Sequence, residues 1–259
     1  EKTTDAMMTM AWHDILLEKR WHDTQNRLFV IRDQVMQNVG DDVVEFLRDS
    51  LEGQINGLST MRDNPETLLI YKAVLDAEII YQVYMGDNLL DIIGDGVYSL
   101  LQFIRPVEML VGVLIRFSEH GVNKRRQMRE QVRNSEYQLV WNRILEVLEA
   151  NGKEYPRHLQ DVYPTAFYAF LNSPYIKQKP ENLNQAAWML FMVLLSQEEP
   201  QDELCLLVGL LLFMHHLRND YVHPLKNLPL PVGDPAEIEL MRLACYNCVE
   251  MLLGLELNG

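Results

Sequence analysis

The segment HHLRNDYVHP, residues 215–224, carries the side chains of this sequence that are best suited to chemistry. Asn219 and His223 are four residues apart and share one face of a helix, with Arg218 adjacent. Pro224 disfavours helical geometry at the residue before it, so the helix is predicted to end at or just before His223. A cation, an amide and an imidazole are therefore expected to gather at the C-terminal end of a helix.

The chemistry that these three side chains favour is proton transfer beside a phosphate. The C-terminal end of a helix carries partial negative charge, which favours protonated imidazole, so His223 is suited to exchange a proton near pH 7. Arg218 can hold a phosphate group or the charge that develops on it during a reaction. An ordinary helix end explains the same residues without chemistry, with Arg218 bound to the last carbonyl groups of its helix.

Helices with a three- and four-residue apolar period position this segment. About nine are predicted, over residues 5–37, 43–58, 64–86, 106–121, 124–150, 163–174, 180–197, 202–221 and 234–257. No stretch alternates with period two for long enough to indicate a strand. The sequence therefore predicts an all-α fold, a multi-helix bundle in which the apolar run 204–214 is a buried core helix, too short to span a bilayer.

Side chains that accept hydrogen bonds from backbone N–H groups mark several of the predicted helix starts. Asp41 or Asp42, Asn64 and Asp234 are the expected N-caps of the helices that follow them. Gly57 is expected to lie near the end of the second helix, because glycine readily takes the backbone conformation that ends a helix.

A soft division of the chain is predicted near Gly121. Residues 1–121 form an N-terminal helical region of unknown role, and residues 122–259 form a C-terminal helical bundle. At 259 residues the chain is long enough for one large domain or two small ones, and in either case it can bury a core.

The net charge of −14 argues against a protein that coats nucleic acid through bulk charge. One local exception is the segment NKRRQMREQVR, residues 123–133, which concentrates positive charge within three helical turns. Lys124, Arg125 and Arg126 are its candidate phosphate contacts, and a solvated helix face is the alternative.

The sequence RNDYVH, residues 218–223, resembles the R-x4-to-6-H signature, often R-N-x-x-x-H, of the HEPN superfamily of helical nucleotide-binding domains and ribonucleases. In that superfamily the motif ends a long helix within a bundle of four or five helices, and one last helix follows. This chain has the same order, and the resemblance covers at best residues 122–259. The similar sequence RNSEYQ, which begins at Arg133, has Gln138 where the histidine would stand.

The resemblance implies metal-independent cleavage of single-stranded RNA, with Arg218, Asn219 and His223 as catalytic residues. His223 would transfer protons while the ribose 2′-hydroxyl attacks its own phosphate, leaving a 2′,3′-cyclic phosphate and a 5′-hydroxyl. Arg218 would stabilise the transition-state charge, and Asn219 would orient the histidine or a phosphate oxygen. Tyr221 is expected to stack on a base, and His216 to line the same groove unless it is a core histidine.

One arginine–histidine motif supplies only half of what in-line attack requires. Similar domains pair across a two-fold axis, so the resemblance implies a homodimer with a composite active site. By analogy with CRISPR-associated and toxin or defence members of the superfamily, an upstream sensor domain or an activating ligand is a further expectation. Three cysteines without a disulfide pattern, and no visible signal peptide, favour a cytoplasmic location and no membrane partner.

Neither a metal nor an organic cofactor is expected, because no E-x-x-H pattern, paired Asp-x-Asp or glycine-rich phosphate loop is present. Cys245 and Cys248 form one C-x2-C pair, which on a helix simply places two small apolar groups on one face. Two other classes of function remain open. One is a catalytically inactive HEPN-like module that binds nucleotide or RNA or mediates dimerisation. The other is a helical adaptor whose acidic surface binds a basic protein.

Overall fold

The structure, a computed structural model, describes most of the chain, and all that follows concerns these parts of it: residues 22–23, 26–86, 96–116, 135–159, 162, 165–173, 179–222 and 234–257. Regular secondary structure in these ranges is helical throughout, which confirms the predicted all-α fold. After a helical stretch at residues 26–36, the helices are α1 Asp41–Gln54, α2 Leu58–Asp63, α3 Leu68–Met85, α4 Val97–Gln102, α5 Ile104–Leu114, α6 Ser135–Asn151, a 3-10 helix Tyr155–Leu159, α7 Thr165–Asn172, α8 Leu183–Leu194, α9 Asp202–Val222 and α10 Pro235–Leu257.

Three of these elements, α2, α4 and the 3-10 helix, were not predicted as separate elements. The predicted helix over residues 43–58 ends at Gln54, and α2 starts after Gly57, whose φ of 81° lies in the left-handed region that favours glycine. The predicted helix starting at Pro106 instead begins at Ile104, directly after α4 and the intervening Phe103.

The predicted N-caps are right at one helix and wrong at two. Asp234 caps α10, because its Oδ1 accepts the backbone N–H of Ala236 at 2.9 Å. The N-cap of α1 is Gly40, so Asp41 and Asp42 instead lie in the first turn, where a carboxylate meets the positive end of the helix dipole.

Asn64 is also not an N-cap. Its Oδ1 accepts the backbone N–H of Glu66 at 2.9 Å, and its backbone carbonyl accepts from Thr67 and Leu68. These bonds close a turn, so α3 begins only at Leu68.

Helix α9 lies at the centre of the C-terminal bundle, packed against α6, α8, α10 and the 3-10 helix. The predicted core helix is confirmed, since every residue of 204–214 except Leu206 is buried. Gly209 allows its close approach to α6, because a Cβ atom there would lie 2.5 Å from Leu148 Cδ1. The four rings of Trp141, Phe167, Trp188 and Phe191 fill the space between α6, α7 and α8.

The N-terminal helices pack directly onto this bundle. Helix α5 lies against α3, α4, α8 and α10, and α4 also contacts α10. One continuous cluster of buried apolar side chains includes residues from both sides of the predicted division. The division itself, near Gly121, lies outside the described residues and stays a prediction.

The segment Val97–Leu114, which comprises α4 and α5, is long and apolar enough by composition to cross a membrane, with a mean hydropathy of 1.4 over 18 residues. Within the fold 56% of it is buried, and its apolar side chains form part of the main core. Such burial is also what a core element shows, so the composition alone is weak support for a membrane span.

Candidate functional site

The end of α9 carries three polar side chains in one cluster: His215, Arg218 and Asn219. Spacings of three and four residues place them on one helix face. The apolar residues before them hold this helix in the core, so the last turns of α9 bring charge into a buried position. The cluster is therefore formed where a core helix ends, as the sequence predicts for Arg218 and Asn219.

Arg218 is almost completely buried, with 2% of its side chain exposed. Its Nη1 donates to Oε1 of Glu108 at 2.9 Å, and Glu108 comes from α5 in the N-terminal region. Its Nε and Nη2 donate to Oδ1 of Asn219 at 3.2 and 3.1 Å. A buried charge is tolerated when it is paired and hydrogen-bonded, so these contacts explain why an arginine can occupy this place.

His215 is held between two donors. Nη2 of Arg218 lies 3.4 Å from its Nδ1, and Nδ2 of Asn219 lies 3.1 Å from its Nε2. A neutral imidazole can accept at only one ring nitrogen, and an imidazolium can accept at neither. At most one of these two contacts can therefore be a hydrogen bond accepted by His215, and the contact with Asn219 is the shorter.

His216 faces away from this hydrogen-bonding cluster. Burial, followed by the positive charges of Arg218 and His158, lowers its pKa to about 4, so the ring is neutral at pH 7. Its Nε2 has no hydrogen-bond partner within the described parts of the chain. The ring packs edge-on against His215 at 5.4 Å between centroids, and the residue is partly buried.

Tyr221 connects the end of α9 to the start of α10. Its hydroxyl donates to Oε2 of Glu237 and accepts the backbone N–H of Asp234 at 3.4 Å. Burial, together with the bond to Glu237, raises the pKa of this phenol, so it stays protonated. Because the ring is buried, stacking on a base would require these two helix ends to separate.

His223 and the three basic residues Lys124, Arg125 and Arg126 lie outside the described residues. Their proposed roles stay predictions. Arg218 and Asn219 thus lie together in the structure. His216 is not part of their hydrogen-bonding cluster, and Tyr221 lies at the contact between the end of α9 and the start of α10.

Glu108 and Glu237 are the site residues that sequence reasoning missed. Glu108 is the one acidic residue of α5, a helix that is otherwise mostly apolar. A lone carboxylate in such a helix needs a partner, which is the signal that the sequence offered. The identity of that partner, 110 residues later in the chain, depends on how the helices pack.

A second buried polar cluster joins α3 to α10. Arg242 binds both oxygens of Glu78, at 2.8 and 3.1 Å, and also Oε1 of Glu239 at 3.1 Å. Its guanidinium carbon lies 4.9 Å from the ring centre of Tyr81 and 5.0 Å from that of Tyr246. This cluster links the N-terminal helices to the bundle through an arginine that binds two carboxylates and lies against two aromatic rings.

Cys245 and Cys248 lie in the core, and burial raises the pKa of both thiols, so they act as small apolar groups. The described residues contain no group of three histidine, cysteine or acidic side chains arranged to hold a metal ion.

No protein-family model matches the chain, and comparisons with curated proteins and with solved structures likewise return no match.

Proposed function

We propose that this chain is a metal-independent endoribonuclease that cleaves single-stranded RNA, with its active site at the end of α9. Arg218 and His223 are the catalytic residues, and Asn219 positions Arg218. One observation supports the proposal above the others: Oδ1 of Asn219 accepts from both Nε and Nη2 of Arg218, which fixes the plane of the guanidinium. A fixed guanidinium at a helix end is suited to hold a phosphate in one orientation.

The reaction follows from the chemistry of a ribose beside a phosphate. The 2′-oxygen forms a new bond to phosphorus, the bond from phosphorus to the 5′-oxygen breaks, and a 2′,3′-cyclic phosphate remains. One group removes the proton from the 2′-hydroxyl, and another delivers a proton to the leaving 5′-oxygen. His223 takes one of these roles and the His223 of a second copy takes the other, in a composite homodimer site. Arg218 stabilises the charge on the phosphorane.

The remaining parts of the proposal follow the same analogy. The basic residues 124–126 contact the RNA backbone, and an upstream sensor domain or an activating ligand controls cleavage in a cytoplasmic defence response.

A second candidate is a catalytically inactive HEPN-like module that binds nucleotide or RNA or mediates dimerisation. The observation that favours it is the burial of Arg218 and its ion pair with Glu108. With the guanidinium so enclosed, a phosphate reaches it only if the carboxylate of Glu108 moves aside.

A cleavage assay separates the two candidates. A labelled single-stranded RNA is incubated with the wild type and with His223→Ala, each with and without EDTA. His22→Ala, at an exposed histidine near the other end of the chain, is the matched control. The nuclease predicts EDTA-resistant cleavage by the wild type and by His22→Ala, loss of cleavage in His223→Ala, and products with cyclic phosphate ends.

Two results contradict the proposal as stated. Cleavage that persists in His223→Ala shows that the catalytic group has been assigned to the wrong residue. A dimeric wild type that binds RNA but leaves it intact supports the inactive module.

A further inference from the structure

The carboxylate of Glu108 and a phosphate would compete for the same atoms of Arg218. Oε1 of Glu108 accepts from Nη1 of Arg218 at 2.9 Å. Phosphate oxygens accept from guanidinium N–H groups at the same distances and with the same preference for charged pairs. Glu108 therefore occupies a position where the oxygen of an anionic ligand would bind.

The difference in exposure between Arg218 and Glu108 supports the replacement of Glu108 by an anionic ligand. Arg218 is 2% exposed and Glu108 is 16% exposed, so the carboxylate is the outer partner. A ligand that approaches from solvent meets Glu108 first and reaches Arg218 by displacing it. Helix α5, which carries Glu108, packs mainly on α3, α4, α8 and α10 rather than on α9. The ion pair therefore connects α9 to a helix that is held mostly by other neighbours.

Glu108 contributes a negative charge to the buried cluster around Arg218. Asn219 contributes a neutral acceptor to Arg218, whereas Glu108 contributes a negatively charged one. A buried cation that loses its carboxylate is strongly disfavoured unless another anion replaces it. Loss of the Glu108 charge should therefore increase the affinity of the site for an anion.

In the ion pair between Glu78 and Arg242 the order of exposure is reversed. There the arginine is the outer partner, at 15% exposure, and the carboxylate is the inner one, at 4%. The rings of Tyr81 and Tyr246 lie against the guanidinium, and Glu239 binds it as well. Arg242 therefore keeps the carboxylate of Glu239 as a partner when Glu78 loses its charge, so this pair provides a structural control.

We propose that Glu108 is an autoinhibitory residue, a carboxylate from the N-terminal region that occupies the anion position of Arg218 until a phosphate displaces it. This inference rests on the proposed function for its consequence in cleavage, but the anion site itself can be tested without RNA. It gives the N-terminal region a role, which is to keep the site closed.

The test measures binding of inorganic phosphate to the full chain by the concentration dependence of thermal unfolding, with sodium chloride at matched ionic strength as reference. Glu108→Gln keeps the side-chain size and removes the charge, and should bind phosphate about tenfold more tightly than the wild type. Glu78→Gln should bind it no more tightly. Adding Arg218→Gln to Glu108→Gln should abolish the gain.

Glu108→Asp keeps the charge and withdraws the carboxylate by one methylene group, so a smaller gain is expected. It also serves if Glu108→Gln does not fold. Three results overturn the proposal: no gain in either Glu108 variant, an equal gain in Glu78→Gln, or a gain that persists without Arg218.

Cleavage measured on the same variants separates this inference from the proposed function. A gain in phosphate binding by Glu108→Gln, with no cleavage by any variant, supports the anion site and contradicts the nuclease. A different result contradicts the autoinhibitory role alone. In that result the wild type cleaves RNA, and Glu108→Gln neither cleaves it faster nor binds phosphate more tightly.

Discussion

Oδ1 of Asn219 accepts hydrogen bonds from Nε and Nη2 of Arg218, its neighbour in the chain, at 3.2 and 3.1 Å. The amide nitrogen of the same side chain contacts His215 at 3.1 Å, so one asparagine joins the cation to the imidazole. The sequence suggested that this amide orients the histidine at position 223 or a phosphate oxygen. The structure adds that its oxygen orients the arginine, and the predicted contact with His223 lies outside the described residues.

Asn219→Ala is expected to lower the free energy of unfolding by about 1–3 kcal/mol, because it leaves donors of a buried guanidinium without their acceptor. Under the proposed function it also reduces RNA cleavage without changing the cleavage site. Urea denaturation and single-turnover cleavage measure the two effects. Asn172→Ala is the control, since this asparagine also lies in the last turn of a helix but is exposed and donates to the carbonyl of Tyr168. A similar loss of stability in both variants would contradict the role assigned to Asn219.

Glu78→Ala is expected to destabilise the protein by about 3–5 kcal/mol, since it removes a buried carboxylate that binds two nitrogens of the half-buried Arg242. The matched control is Asp202→Ala, which removes the partner of Arg143 in an exposed pair with bonds of 2.9 and 2.8 Å. An exposed pair is worth about 0–1 kcal/mol, so this variant should change little. Equal losses by denaturant unfolding would show that burial does not decide the strength of the Glu78 pair.

Acid should destabilise the fold through His216. Its pKa is lowered to about 4 in the folded protein from an ordinary value of 6.5, so between these values the unfolded state binds more protons. The stability that this group contributes is therefore present above pH 6.5 and is lost as the pH falls towards 4. The complete loss lowers the free energy of unfolding by roughly 3 kcal/mol.

The measurement for His216 is the difference in unfolding free energy between pH 7 and pH 4.5, for the wild type and for His216→Asn. The variant should lose less stability over this range, because it has no ring to protonate. His22→Asn, at an exposed histidine, should behave like the wild type. If all three proteins lose the same stability, the acid sensitivity belongs to groups other than His216.

Gly209→Ala should destabilise the bundle by about 1–3 kcal/mol, because its Cβ would lie 2.5 Å from Leu148 Cδ1 at the contact between α9 and α6. Gly112→Ala is the matched control, a helical glycine whose Cβ would meet nothing within 4 Å. It should stabilise the protein by up to about 1 kcal/mol, since alanine favours the helix. Thermal unfolding compares the two, and Leu148→Val should recover part of the loss in Gly209→Ala. Destabilisation by both glycine variants would argue against close packing as the cause.

The sequence by itself determined the helical class, the buried helix over residues 202–222 and the cap at Asp234. These features depend on local information: the apolar period, the residues that accept N–H groups, and proline at the first position of a helix. Local information was insufficient where neighbouring residues compete for the same role. Asp41 and Asn64 are both suitable N-caps by type, and the path of the chain places Gly40 and Thr67 there instead.

Only the tertiary structure decided which side chain neutralises Arg218. The residue pattern places a cation at the end of a core helix but does not indicate that α5 brings Glu108, 110 residues earlier, to 2.9 Å from it. The same holds for Glu78 and Arg242, which are 164 residues apart. Contacts of this kind depend on which helix faces pack together, and that choice minimises the exposed apolar surface of the whole chain rather than of any one segment.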